Sequence, residues 1–245
     1  MKLEKKDQPY IFGHRGASGY CPENTLLSFQ KAIDQQADGV ELDVQLTSDG
    51  EVVVIHDETI DRTSNGKGFV KDYTFEQLRQ FNFNNGMEEF GFVQIPTLQE
   101  VFDVIKPSSL MINIEFKTNI IEYPGIVEKV MKMVEENGMK DRILYSSFNH
   151  YTCVEVRDAD KEAYVGFLYE DGFIDVPEYV RAHGGNALHP ASYLLLNPLY
   201  MKKAGDLDVN VWTVNEPMHI ALAKKLKVTT IITNYPDRAR KIISQ

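Results

Sequence analysis

The chain has 245 residues, 43% of them hydrophobic and 25% charged, a balance that excludes disorder and fits one barrel-sized domain or two small ones. A formal charge of −10 would repel long polyanions, so no nucleic acid is expected as a partner, and a small anionic ligand would need a local cation or an arginine and lysine cluster. No apolar run approaches the roughly 20 residues that span a bilayer, the first residues lack a signal-peptide core, and Cys21 and Cys153 match no zinc or redox spacing; the expectation is a cytoplasmic protein with free thiols and no membrane span.

Short apolar runs alternate with amphipathic stretches along the chain, the pattern of a parallel sheet covered by helices. The first strand is predicted over residues 10–14, followed by a helix on which Leu26, Phe29 and Ile33 share a face after the cap candidates Asn24 and Thr25. A second strand is predicted over 39–46, and the run 52–55 leads into His56. Residues 61–96 break the rhythm: Phe69, Tyr73, Phe75, Phe81, Phe83, Phe90 and Phe92 stand among Gly and Asn turns, and Thr74 with Gln77 reads as a capping box. This stretch is expected to be an insertion with its own small apolar cluster. The alternation then resumes with strands over 110–116, 143–148, 163–169, 187–189, 209–214 and 229–233. Between them a helix begins near Pro124 and stops at Asn137 and Gly138, and Pro217 and Pro236 each open a helix. Eight parallel strands are the number a (β/α)₈ TIM barrel requires, so the fold class is α/β.

Chemistry gathers where these strands should end. Side chains alternate along a strand, so Val40, Leu42 and Val44 point one way and Glu41 and Asp43 the other, toward the barrel interior. Two neighbouring carboxylates there would repel each other unless a cation lay between them, which marks them as metal ligands. In the run 111–117, Asn113, Glu115 and Lys117 share the inward face; Glu115 can add a third oxygen and Lys117 can neutralise a bound anion. Carboxylate-only ligation suits one divalent ion, calcium or magnesium, with manganese also compatible, and argues against zinc. His14 and His56, at the ends of their runs, can supply a proton acceptor and a proton donor, and Arg15 offers a planar fork to phosphate oxygens. A glycosidase would need two free carboxyls and no histidine pair.

The runs His14-Arg15-Gly16-Ala17, Pro22-Glu23-Asn24-Thr25, Glu41-Leu42-Asp43-Val44 and Val54-Ile55-His56-Asp57, continued by Asp61-Arg62-Thr63, Ile95-Pro96-Thr97-Leu98, Glu115-Phe116-Lys117 and Val211-Trp212-Thr213, resemble the glycerophosphodiester phosphodiesterase family in order and over nearly the whole chain. The resemblance implies one domain over residues 1–245, a TIM barrel with a small inserted subdomain after the second strand at about 61–96. It implies hydrolysis of small glycerophosphodiesters to glycerol 3-phosphate and an alcohol. The metal ligands would be Glu41, Asp43 and Glu115, the acid–base pair His14 and His56, and the substrate-binding residues Arg15, Lys117 and Trp212, the last near the glycerol. Joined to the substrate's own geometry, it implies attack by the glycerol 2-hydroxyl and a cyclic phosphate intermediate. A lyase-type relative that stops at the cyclic phosphate and a non-catalytic glycerophosphodiester-binding module are the alternatives. The choice of base and acid, the headgroup and the oligomeric state stay open.

Overall fold

The computed structural model describes residues 3–4, 6–197 and 204–245. Its elements run β1 (Tyr10–His14), α1 (Leu26–Asp34), β2 (Gly39–Leu46), β3 (Val52–Val54), α2 (Phe75–Leu78), α3 (Leu98–Ile105), β4 (Met111–Phe116), α4 (Ile126–Glu136), β5 (Ile143–Ser147), α5 (His150–Ala159), β6 (Tyr164–Tyr169), α6 (Val176–Ala182), β7 (Ala187–Pro190), β8 (Asp208–Val211), α7 (Pro217–Lys225), β9 (Thr230–Thr233) and α8 (Pro236–Ile243). Strands pair in the order β1-β9-β8-β7-β6-β5-β4-β2, and β1 also pairs with β2, which closes a parallel eight-stranded barrel. β3 lies outside that ring, antiparallel to β2. The predicted (β/α)₈ barrel is therefore the fold.

Residue alternation explains both faces of the barrel wall. Val40, Leu42 and Val44 are fully buried in the outer layer with Phe29, Val101 and Phe102 of α1 and α3. Tyr10, Phe12, Leu144, Tyr164, Ala187 and Ile232 pack together inside, with Leu3 against them, and fill the lower barrel. Burial of each large side chain contributes roughly 1.5–3 kcal/mol, so both layers favour closure over an open sheet.

Local signals set the helix starts. Thr25, Thr74 and Thr97 form capping boxes with Ser28, Gln77 and Glu100. Pro217 and Pro236 open α7 and α8 where no N–H is needed. α4 starts near Pro124 as expected, with left-handed Gly125 (φ 80°) as its N-cap and Ile126 as its first residue.

The 61–96 stretch contributes to a separate small apolar cluster, as expected of it. Its buried core is mostly aliphatic, Val53, Ile55, Ile60, Val70, Leu78 and Ile95, with Phe83 the one fully enclosed aromatic; Tyr73, Phe75 and Phe81 flank it, and Phe69 and Phe92 are exposed. Aromatic content marked the segment, but the aliphatic side chains face inward. No helix among the described residues is long and apolar enough to cross a membrane.

Candidate active site

Strand register brings the polar residues to one end of the barrel. His14 of β1 pairs with Glu41 of β2, Glu41 pairs with Asn113 of β4, and Asp43 pairs with Glu115. Residues in register on neighbouring strands share a face, so inward-facing carboxylates from β2 and β4 meet. Glu41, Asp43 and Glu115 are all buried and each places an oxygen within 4.8 Å of the others. Burial, then Asp43 and Glu115, pushes the Glu41 carboxyl well above its ordinary value. Burial and Asp43 raise Glu115, against the pull of Lys117. Burial also acts upward on Asp43, but His56, Arg15 and Lys117 outweigh it and hold Asp43 at about 2. Asp43 Oδ2 accepts from Asn24 Nδ2 at 2.8 Å, whereas Oδ1 is buried with no hydrogen-bond partner. Clustered acids, two of them displaced toward protonation and one with an orphaned oxygen, have the donor chemistry of a hard-cation site.

The turn after β1 carries Arg15. Arg15 (φ 55°) and Gly16 (φ 80°) are both left-handed, and a Cβ on Gly16 would lie 2.5 Å from Ser28 Oγ. This turn aims the Arg15 N–H at Glu41 Oε2 (3.0 Å) and its guanidinium at Glu23 (2.8 Å) and Asp43 (3.5 Å). Lys117 Nζ donates to Glu115 Oε1 at 2.9 Å and stands 3.2 Å from His56 Nε2.

The two histidines are held differently. His14 Nδ1 lies 2.7 Å from Asn234 Oδ1, which can only accept, so Nδ1 carries the proton and Nε2 has a free lone pair, 4.0 Å from Glu41. Burial and the adjacent Arg15 push His14 down to about 3, so the ring is neutral at pH 7. His56 Nδ1 donates to Asp57 Oδ1 at 2.6 Å. Arg62 grips Asp57 and Glu23 at once (2.7–3.0 Å), and the His56 hydrogen bond, followed by Arg62, keeps Asp57 well below the usual carboxylate range. His56 stands just beyond β3, above the insertion core, and shares a small cavity with Ile55, Phe83 and Ile95. Because β3 stands outside the ring, no barrel strand carries this histidine.

One cavity is lined by His14, Arg15, Glu41, His56 and Glu115 on one side and by Phe148, Leu168 and Trp212 on the other. Trp212 donates through Nε1 to the His189 carbonyl (2.8 Å) and meets Phe148 edge-on with ring centroids 5.3 Å apart. All eight residues singled out in the sequence thus stand in or directly beneath one mouth. Asn24, Glu23, Asp57, Arg62, Asn234 and Phe148 were not singled out. Asn24 reads as a helix cap, but Thr25 is the cap and Asn24 is spent on Asp43. Asn234 is 220 residues from its histidine and has no local signal.

A buried acid cluster and flanking basic groups at the C-terminal mouth of a (β/α)₈ barrel define a barrel enzyme, since such folds carry their chemistry at that end. Residues 14–238 match the model of the glycerophosphoryl diester phosphodiesterase family, and the chain belongs to that family. It is 40% identical to the glycerophosphodiester phosphodiesterase of Caldanaerobacter subterraneus subsp. tengcongensis, over 93% of this chain and 94% of that one. Identity to the enzyme of the same name from Bacillus altitudinis is also 40%, over 95% and 97% of the two chains. Among solved structures, a phosphodiesterase of Oleispira antarctica in complex with the product sn-glycerol-3-phosphate superposes with a TM-score of 0.84 at 26% identity, covering 97% of this chain and 98% of that one.

Proposed function

We propose that the chain hydrolyses glycerophosphodiesters to glycerol 3-phosphate and an alcohol, with one divalent cation held by Glu41, Asp43 and Glu115 and with His14 and His56 as base and acid. Family membership carries the reaction. The observation that carries the site is the triad of buried carboxylates beside two histidines with different partners. A hard cation such as calcium or magnesium at that triad would supply positive charge against the non-bridging phosphoryl oxygens.

This chain's own residues account for the rest. Arg15 and Lys117 border the cation site and complement the anion. Neutral His14, with Nε2 unprotonated, takes the proton of the glycerol 2-hydroxyl, whose oxygen forms a bond to phosphorus as the bond to the alcohol oxygen breaks. His56 protonates the departing alkoxide, with Asp57 stabilising its charged form. Water then opens the cyclic phosphate. Trp212 and Phe148 offer an apolar wall to the glycerol carbons. The whole chain, 1–245, acts as one unit, with the excursion at about 61–96 positioning His56. Free Cys21 and Cys153, both buried, suit a reducing, cytoplasmic setting.

Leaving-group chemistry tests the assignment of roles. His14→Ala and His56→Ala are each expected to lose roughly 10²–10⁴-fold in kcat on glycerophosphocholine. A p-nitrophenyl diester of glycerol 3-phosphate, whose leaving group needs no proton, should restore most of the rate to His56→Ala and little to His14→Ala. The reverse pattern would exchange the two roles. An analogue with hydrogen in place of the 2-hydroxyl should inhibit competitively yet turn over far more slowly, and an equal kcat would replace internal attack by direct attack of water.

A further inference from the structure

His56 sits on no barrel strand, yet a proton donor works only at a fixed distance from the reacting atoms. β3 ends at Val54, and beyond it no described main-chain N–H reaches the carbonyls of Ile55, His56 and Asp57. One side chain does. Gln45 Nε2 stands 3.1, 3.0 and 2.8 Å from these three oxygens in turn. An amide nitrogen carries two hydrogens, so the three carbonyls share them and the turn is drawn around a single donor. Gln45 is fully buried, which closes that donor to bulk water.

The amide is itself held from its other end. Tyr123, buried in the loop after β4, donates its hydroxyl proton to Gln45 Oε1 at 2.8 Å. A flipped amide would set Oε1 against three acceptors, so Nε2 faces the turn and the phenol holds it there. Gln45 also lies two residues beyond Asp43, so alternation places it on the inward face of Glu41 and Asp43. The Asp43 carbonyl accepts from the Ile55 N–H at 3.0 Å. β2 thus presents two of the three carboxylates and grips the His56 turn at the same time, and one rigid strand sets the spacing between them. Arg62 secures the Asp57 side chain from the solvent side, whereas Gln45 secures the main chain from the buried side.

We propose that Gln45, oriented by Tyr123, is a positioning residue for the reaction: it acts through the main chain of residues 55–57 to hold His56 at the leaving group. The inference rests on the function proposed above, in which His56 is the acid.

The test is a double-mutant cycle on two substrates, glycerophosphocholine and the p-nitrophenyl diester of glycerol 3-phosphate. Gln45→Met keeps the length of the side chain and removes the donor. On glycerophosphocholine its kcat should fall about 10²-fold with KM little changed, the scale of a misplaced catalytic group. On the p-nitrophenyl diester most of the rate should return, as for His56→Ala, because that leaving group needs no proton. In the His56→Ala background Gln45→Met should cost nothing further, since a residue that acts through the imidazole is silent once the imidazole is gone. A merely structural role would carry the same loss into both backgrounds and onto both substrates, and either result overturns the inference, as does wild-type kcat for folded Gln45→Met. Where Gln45→Met does not fold, Tyr123→Phe makes the same comparison. It should lose about fivefold on glycerophosphocholine, the equivalent of one hydrogen bond, and nothing in the His56→Ala background. No loss, or the same loss in both backgrounds, overturns the inference. A loss independent of His56 leaves the proposed function standing, whereas His56→Ala at the wild-type rate removes the acid itself and the inference falls with it.

Discussion

The barrel interior has two storeys built by one rule of alternation to opposite ends. In the lower one, Tyr10, Phe12, Leu144 and Tyr164 fill the space with apolar volume. Two residues further along the same strands, the inward positions carry His14 and Ser146, joined by Glu41, Asp43 and Glu115 from β2 and β4. The lower storey gains free energy from desolvation, whereas the upper one opposes it: burial drives Glu41 and Glu115 toward protonation. A protein that keeps three carboxylates where apolar side chains would be more stable is placing charge for a ligand rather than for its own fold.

The most forceful way to break that contrast is to neutralise the upper storey. Glu41→Gln keeps an oxygen to accept the Arg15 N–H and removes the charge. Losing an outer-shell partner of a metal site costs roughly 10–100-fold, so losing a ligand should lower kcat on the order of 10³-fold, about 4 kcal/mol of transition-state stabilisation. In EDTA the variant should melt no lower than the wild type, because a repelled, buried charge has gone, and added calcium or magnesium should raise its melting temperature less. Full wild-type activity in excess EDTA would sink the cation reading.

Truncating the lower storey should do the opposite. Leu144, 1% exposed, packs within the apolar plug. Leu144→Ala should cost about 3 kcal/mol, within the range for buried Leu→Ala changes, in urea unfolding, while kcat measured well below the transition stays near wild type. A large loss of kcat in protein that remains fully folded would show that the two storeys cannot be separated.

This division also explains what the sequence makes legible. Period-two patterns reveal which strand residues face inward, so the barrel and the Glu41, Asp43 and Glu115 cluster follow from local sequence. Partners brought by chain closure do not: Asn234 meets His14 only because β9 returns beside β1, and Arg62 reaches Glu23 only through the fold of the excursion. The insertion is legible only in part for a related reason. Its aromatic residues are conspicuous in composition, but without a regular period nothing in the sequence says which of them turn inward, and the aliphatic ones do.

His189 lies at the seam between the storeys and gives the smallest effect. It pairs in register with Leu168 of the cavity wall, and its carbonyl holds Trp212. Its ring is fully buried, with Nε2 accepting from Asn210 Nδ2 at 2.9 Å; the same amide also reaches the Tyr164 hydroxyl (3.4 Å), which donates to Asp208. Nδ1 therefore carries the ring proton, and it has no hydrogen-bond partner. A proton on Nε2 would displace the Asn210 donor and place an unpaired charge in the core, and burial accordingly pushes His189 down to about 3. In the unfolded chain the imidazole titrates near 6.5. As the pH falls from about 6.5 toward 3, the unfolded chain takes up the proton first and the folded state is destabilised by ~1.4 kcal/mol per pH unit; above 6.5 the term vanishes. His189→Gln removes the titration and retains a polar side chain of similar size. Between pH 7 and pH 5 the wild type should therefore lose about 2 kcal/mol more stability than the variant, read as the change in the difference between their urea-unfolding free energies. Parallel pH profiles for the two proteins would mean that the folded ring takes up its proton as readily as the unfolded one, so that burial does not set its protonation state.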